Sequence, residues 1–100
     1  MDQIPKHIRR AIRELAGRAY DAELSQELAT LEGEFTRWRR GEITAFDLSE
    51  AIHRFHDGPA RELYLTYSQP HASAAVAAAI HAGILDRKQI APDVLKALTG

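Results

Sequence analysis

The stretch "LSQELATLEGEFTRW", residues 24–38, places Leu24, Leu28, Leu31, Phe35 and Trp38 at steps of 4, 3, 4 and 3. That alternation is the a/d seam of a coiled coil, so the segment reads as an amphipathic helix with a narrow apolar stripe. Working upstream, Ile8, Ile12, Leu15 and Ala19 step 4, 3 and 4 in a different frame. The slip near Tyr20–Leu24 resembles a stutter. Pro5 suits the first turn of a helix, and Gly41 suits the left-handed residue just past a helix end. The pattern therefore predicts one long helix over about 5–40, or two nearly collinear pieces, roughly 50 Å long at ~1.5 Å per residue. Gly17 and Gly33 each weaken such a helix by about 1 kcal/mol relative to Ala, and mark points for a kink or for close packing. Trp38, lying on the seam with Leu31 and Phe35, is expected in the core.

Downstream, "GEITAFD" (41–47) turns the chain back. Thr44 and Asp47 have the spacing of a capping box and open a second helix over about 45–57. Asp57-Gly58-Pro59 reads as a corner, with Asp57 or Gly58 as cap and Pro59 in the first turn of a third helix. In that helix Ala60, Leu63, Tyr64 and Tyr67 fall on one face, to about residue 68. An alanine-rich fourth helix is predicted over about 70–82, close to its neighbours and stopped by Gly83. Asp86 caps a turn, and Pro92 opens a last short helix carrying Val94, Leu95 and Leu98. The expectation is one all-α domain over residues 1–100. In it the long N-terminal helix forms a hairpin with the second helix, and two or three short helices follow.

Totals narrow the function. One hundred residues without a cysteine exclude disulfides, thiolate metal sites and a Cys nucleophile. Net charge is −1, against the large positive excess of a general DNA coat or polybasic membrane binder. The segment behind Met1 has no signal-type apolar run, and the most apolar stretch, 72–85, is too short to span a bilayer and contains His81. A cytoplasmic protein, without membrane contact, is expected. The alanine and arginine content fits a GC-rich bacterium.

Charge along the long helix is banded. Residues 1–18 hold five bases against two acids, residues 19–34 hold five acids and no base, and Arg37, Arg39 and Arg40 follow. An antiparallel dimer centred on the acidic band would oppose like charges, whereas a staggered one would set basic ends against acid.

Candidate sites concentrate in "AIHRFHDGPARELY" (51–64). Glu50 and His53 have the Glu-x-x-His spacing of di-iron carboxylate bundles, which makes a metal-binding helical protein one alternative. At ~100° per residue, however, Glu50, His53 and Asp57 point away from the apolar side, whereas bundle ligands must point inward. His53 and Asp57 are expected to form an exposed helical pair. His56 is expected to meet the carbonyls at a helix C-terminus. With Arg61 these residues form a polar corner. Gly41, Ile43 and Asp47 resemble positions of a calcium-binding EF-hand loop, but Thr36, Trp38 and Arg40 stand where that family places its first oxygen ligands, so no metal is carried over. "RWRR" (37–40) sets an aromatic among bases, as in nucleic-acid contacts. A nucleic-acid-binding or antitoxin-like regulator is the other alternative. There is no Gly-rich phosphate loop, His-Glu-x-x-His pair or nucleophile elbow. No catalytic residue, cofactor or metal is assigned.

The stretch "WRRGEITAFDLSEAIHRFHDGPARELY" (38–64) resembles small bacterial all-helical proteins, over about residues 35–67. The resemblance implies a helical fold and no particular activity. The leading expectation is a non-enzymatic interaction module. It self-associates, as a dimer, through Leu24, Leu28, Leu31, Phe35 and Trp38, or meets another protein there.

Overall fold

The computed structural model describes residues 4–70 and 72–99. Helix α1 (Lys6–Arg39) is a single unbroken rod of 34 residues. Neither glycine breaks it: the space around Gly17 and Gly33 is open, so they provide neither a kink nor a close approach. Its end is a Schellman motif. Gly41 adopts φ +75°, and its N–H donates to the Trp38 carbonyl at 3.0 Å while Glu42 N–H donates to Arg37 at 2.9 Å. A side chain at φ +75° would press on the following carbonyl, so glycine is the residue that lets the chain reverse here.

Helix α2 (Ala45–Phe55) starts on the predicted capping box. Thr44 Oγ1 accepts from Asp47 N–H at 3.0 Å, and Asp47 Oδ2 accepts from Thr44 N–H at 2.9 Å. The bond from the Thr44 backbone holds the Asp47 carboxyl below its ordinary range.

The predicted corner at Asp57-Gly58-Pro59 is absent. The chain continues through a π turn, His56–Ala60, directly into α3 (Arg61–Tyr67). Phe55, Ala60 and Arg61 all keep right-handed helical angles, and no side chain caps the junction. Two physical reasons favour the wider turn. An α-helical Pro59 would drive its ring into the Phe55 carbonyl, and a π turn widens the spiral there. The second reason is phase. From Leu48 to Tyr67 is 19 residues, which at ~100° each leaves the two side chains ~100° apart. One inserted residue returns them to the same side, and both are buried. The bulge thus keeps α2 and α3 facing α1 as one antiparallel arm.

Helix α4 (Ser73–His81) ends in a second Schellman motif at Gly83, φ +80°. Asp86 Oδ1 accepts from Lys88 N–H at 2.9 Å to open a short 3-10 turn, Arg87–Gln89. Helix α5 (Pro92–Thr99) starts on its proline. Helices α2, α3, α4 and α5 all pack on α1. The core lies at one end: Ile8, Ile12, Leu15 and Ala19 of α1 meet Val76, Ala79 and Ile80 of α4 together with Val94 of α5. Ala19 and Ala79 are almost fully buried, the close approach expected of the alanine-rich helix. No strand occurs among the described residues.

Among the described residues, the rod beyond Ala19 has only the α2–α3 arm beside it, and no buried residue follows in α1. The radius of gyration is 17.3 Å, against about 13 Å for a compact chain of this length.

Candidate functional site

Two surfaces stand out, one at each end of the rod. The first is the seam of residues 24–38. Leu24, Leu31 and Phe35 are half-buried against the arm, while Leu28 is 46% exposed. Trp38 is 40% exposed, so its expected place in the core is corrected. Only one helix covers this part of α1, and the Arg39 guanidinium lies over the indole at 6.0 Å instead. On the arm, Ile52 and Tyr64 are exposed. At ~100° per residue in an antiparallel pair, Leu28 and Phe35 of α1 fall on the same flank as Ile52 and Tyr64, with the π turn counted as one added residue. The hairpin therefore carries one apolar flank with no third helix on it. Phe46 points the other way and is 86% exposed.

The polar corner does not form as expected. His53, His56, Asp57 and Arg61 are all exposed. His53 and Asp57 are not joined by an ion pair among the described residues. Glu50 instead meets Arg54 at 3.5 Å, because an acid four residues before a base aligns better along a helix. His56 has no helix end to cap, since the backbone runs on through it. No group of three or more His, Asp or Glu gathers at Glu50 and His53, or elsewhere among the described residues.

The second surface was not legible as a site in the sequence. An open cleft of about 1080 Å³ lies along the N-terminal half of α1. Lys6, Arg9, Arg10 and Arg13 form one wall, and Tyr20 and Tyr67 close one end. The tyrosine rings stack at 5.7 Å and 17°. Tyr67 donates its hydroxyl proton to Glu23. Burial, and then this bond, push the Tyr67 hydroxyl well above its ordinary pKa of 10.0. Gln69 and Ser73 complete the far wall. The bases were visible as a charge band. Tyr20, Glu23 and Tyr67 lie too far apart in sequence for any spacing rule to join them. Outside the cleft, His7 Nε2 donates to Asp93 at 3.1 Å, tying the start of α1 to α5, and holds the Asp93 carboxyl below its usual range.

No family model, curated protein or solved structure matches this chain.

Proposed function

We propose that this protein works by contact rather than by catalysis, as a helical module that pairs with a second copy of itself through the open flank of its hairpin. The observation that carries the reading is the exposed seam: Leu28 lies almost half exposed in the middle of an a/d repeat that continues to Trp38. The total surface supports it. The chain exposes 7395 Å², whereas a folded monomer of its mass exposes roughly 5,700 Å². The excess exceeds the ~800 Å² that each partner gives to an ordinary stable interface.

The seam also selects a register. In an antiparallel pair related by a two-fold axis through Leu31, Leu31 meets its own copy, Leu28 meets Phe35 and Leu24 meets Trp38. Every layer is then apolar on both sides. The same register sets Arg39 and Arg40 beside Asp21 and Glu23 of the second copy. These pairs at the two ends offset the acids that remain near each other at the centre, Glu32 beside its own copy and Glu27 beside Glu34. With the two α2–α3 arms the product is a four-helix bundle.

Leu28→Glu tests this. In the free chain an exposed site tolerates the change within about 0.5 kcal/mol, but a carboxylate in the seam of a dimer loses its water. Sedimentation equilibrium should give a dimer for the parent chain and a monomer, equally helical and equally stable at low concentration, for the variant. A parent chain that stays monomeric at high micromolar concentration overturns the proposal.

A further inference from the structure

The cleft at the other end carries an inference independent of self-association. Lys6, Arg9 and Arg10 occupy the first turns of α1, where the helix dipole is positive and acids are favoured, and the first turn holds no acid. Among the described residues none of Lys6, Arg9, Arg10 and Arg13 meets a carboxylate within ion-pair distance. Lys6 and Arg9 thus stand in the first turn against the helix dipole, Arg10 and Arg13 follow within the next turn, and no ion pair among the described residues offsets their mutual repulsion. A break in local consistency of this kind marks a site shaped by a ligand rather than by stability.

The dimensions define the ligand. Lys6, Arg10 and Arg13 run along the cleft over ~10 Å of helix, the reach of two or three linked phosphates and more than a single one. Tyr20 stands a further ~10 Å along the same wall, at the distance of a flat ring attached to such a chain. Arginine forks take phosphate oxygens in pairs, and a tyrosine face takes an aromatic ring. Immediately past Tyr20 the helix turns acidic at Asp21, Glu23 and Glu27. A longer phosphate backbone leaving the cleft would be repelled there, so the arrangement suits a small molecule and not a nucleic-acid strand.

We propose that this cleft binds a nucleoside di- or triphosphate, its phosphates on Lys6, Arg10 and Arg13 and its base against Tyr20. Calorimetric titration of the full chain at low salt with ATP, inorganic tripolyphosphate and a single-stranded oligodeoxynucleotide tests it. ATP should bind saturably, one per chain, and more tightly than tripolyphosphate. Arg10→Ala with Arg13→Ala should weaken ATP at least about tenfold. Tyr20→Leu should bring ATP down to the level of tripolyphosphate, whereas Arg87→Ala with Lys88→Ala, outside the cleft, should change nothing. Leu28→Glu should bind ATP as the parent does, which separates this test from that of the dimer. No heat with ATP at millimolar concentration, binding indifferent to Arg10 and Arg13, or binding of the oligonucleotide in preference to ATP each overturns the proposal.

Discussion

Tyr67 shows how much one residue can join. Its ring fills the boundary between core and cleft, stacks on Tyr20, and its hydroxyl reaches Glu23 across 44 positions of sequence. A hydrogen bond to a charged acceptor contributes about 1.5–3 kcal/mol. Because the folded pKa lies above the unfolded value of 10.0, this contribution is complete below pH 10 and is lost as the pH rises from there toward the folded value. Thermal unfolding from pH 8 to pH 11 should therefore show a stability gap between the parent and Tyr67→Phe that is widest at the neutral end and narrows as the unfolded phenol ionises. A gap that is constant across the range would contradict the assignment. The sequence placed Tyr67 on the apolar face of its helix, and that holds. The partners were not legible, because neither spacing nor charge singles out Glu23 among the five acids of its band.

Among the elements, the caps read most directly. Gly41, Gly83, Thr44 with Asp47, Asp86 and Pro92 each act where the sequence placed them. Their chemistry is local, a side chain or a dihedral acting within one turn. The π turn was misread for the complementary reason. Gly-Pro in isolation favours a corner, and only the demand that Leu48 and Tyr67 face the same helix makes a widened turn the better solution. Gly58 sits in open space with an ordinary backbone. Gly58→Ala should therefore be neutral or slightly stabilising. Inserting an alanine after Gly58 adds a second extra residue, which one π turn cannot absorb, and swings α3 by ~100°. That takes Tyr67 off α1 and should cost more than about 3 kcal/mol, read as a fall in the urea midpoint. If the insertion is as mild as the substitution, the phase argument fails.

Across the whole molecule, the core and the two surfaces divide the rod. The first half of α1 is enclosed by α3, α4 and α5, whereas the second half has one neighbour. The chain has no cysteine, so the proposed register can be tested without background. Leu31→Cys should form a covalent dimer on mild oxidation, because the two-fold axis brings the residue to its own copy. Gly33→Cys, on the opposite side of the helix, should remain uncoupled. Equal coupling at both positions would show random collision instead of a seam. No described helix is long and apolar enough to cross a membrane, as the charge spacing along α1 implies.

By itself, the sequence determined the all-helical fold, the span of α1, the start of α2, the ends of α1 and α4, the start of α5 and the existence of an apolar stripe along α1. All of these follow from periodicity and from chemistry within a turn or two. The tertiary structure alone decided which part of the stripe is sheltered, that Trp38 stays at the surface, that Gly-Pro is absorbed by a π turn, and that four bases and two tyrosines share a cleft. These depend on how distant helices are phased and spaced against each other. A side chain's burial is settled by how many neighbours the fold supplies, and no local pattern states that number.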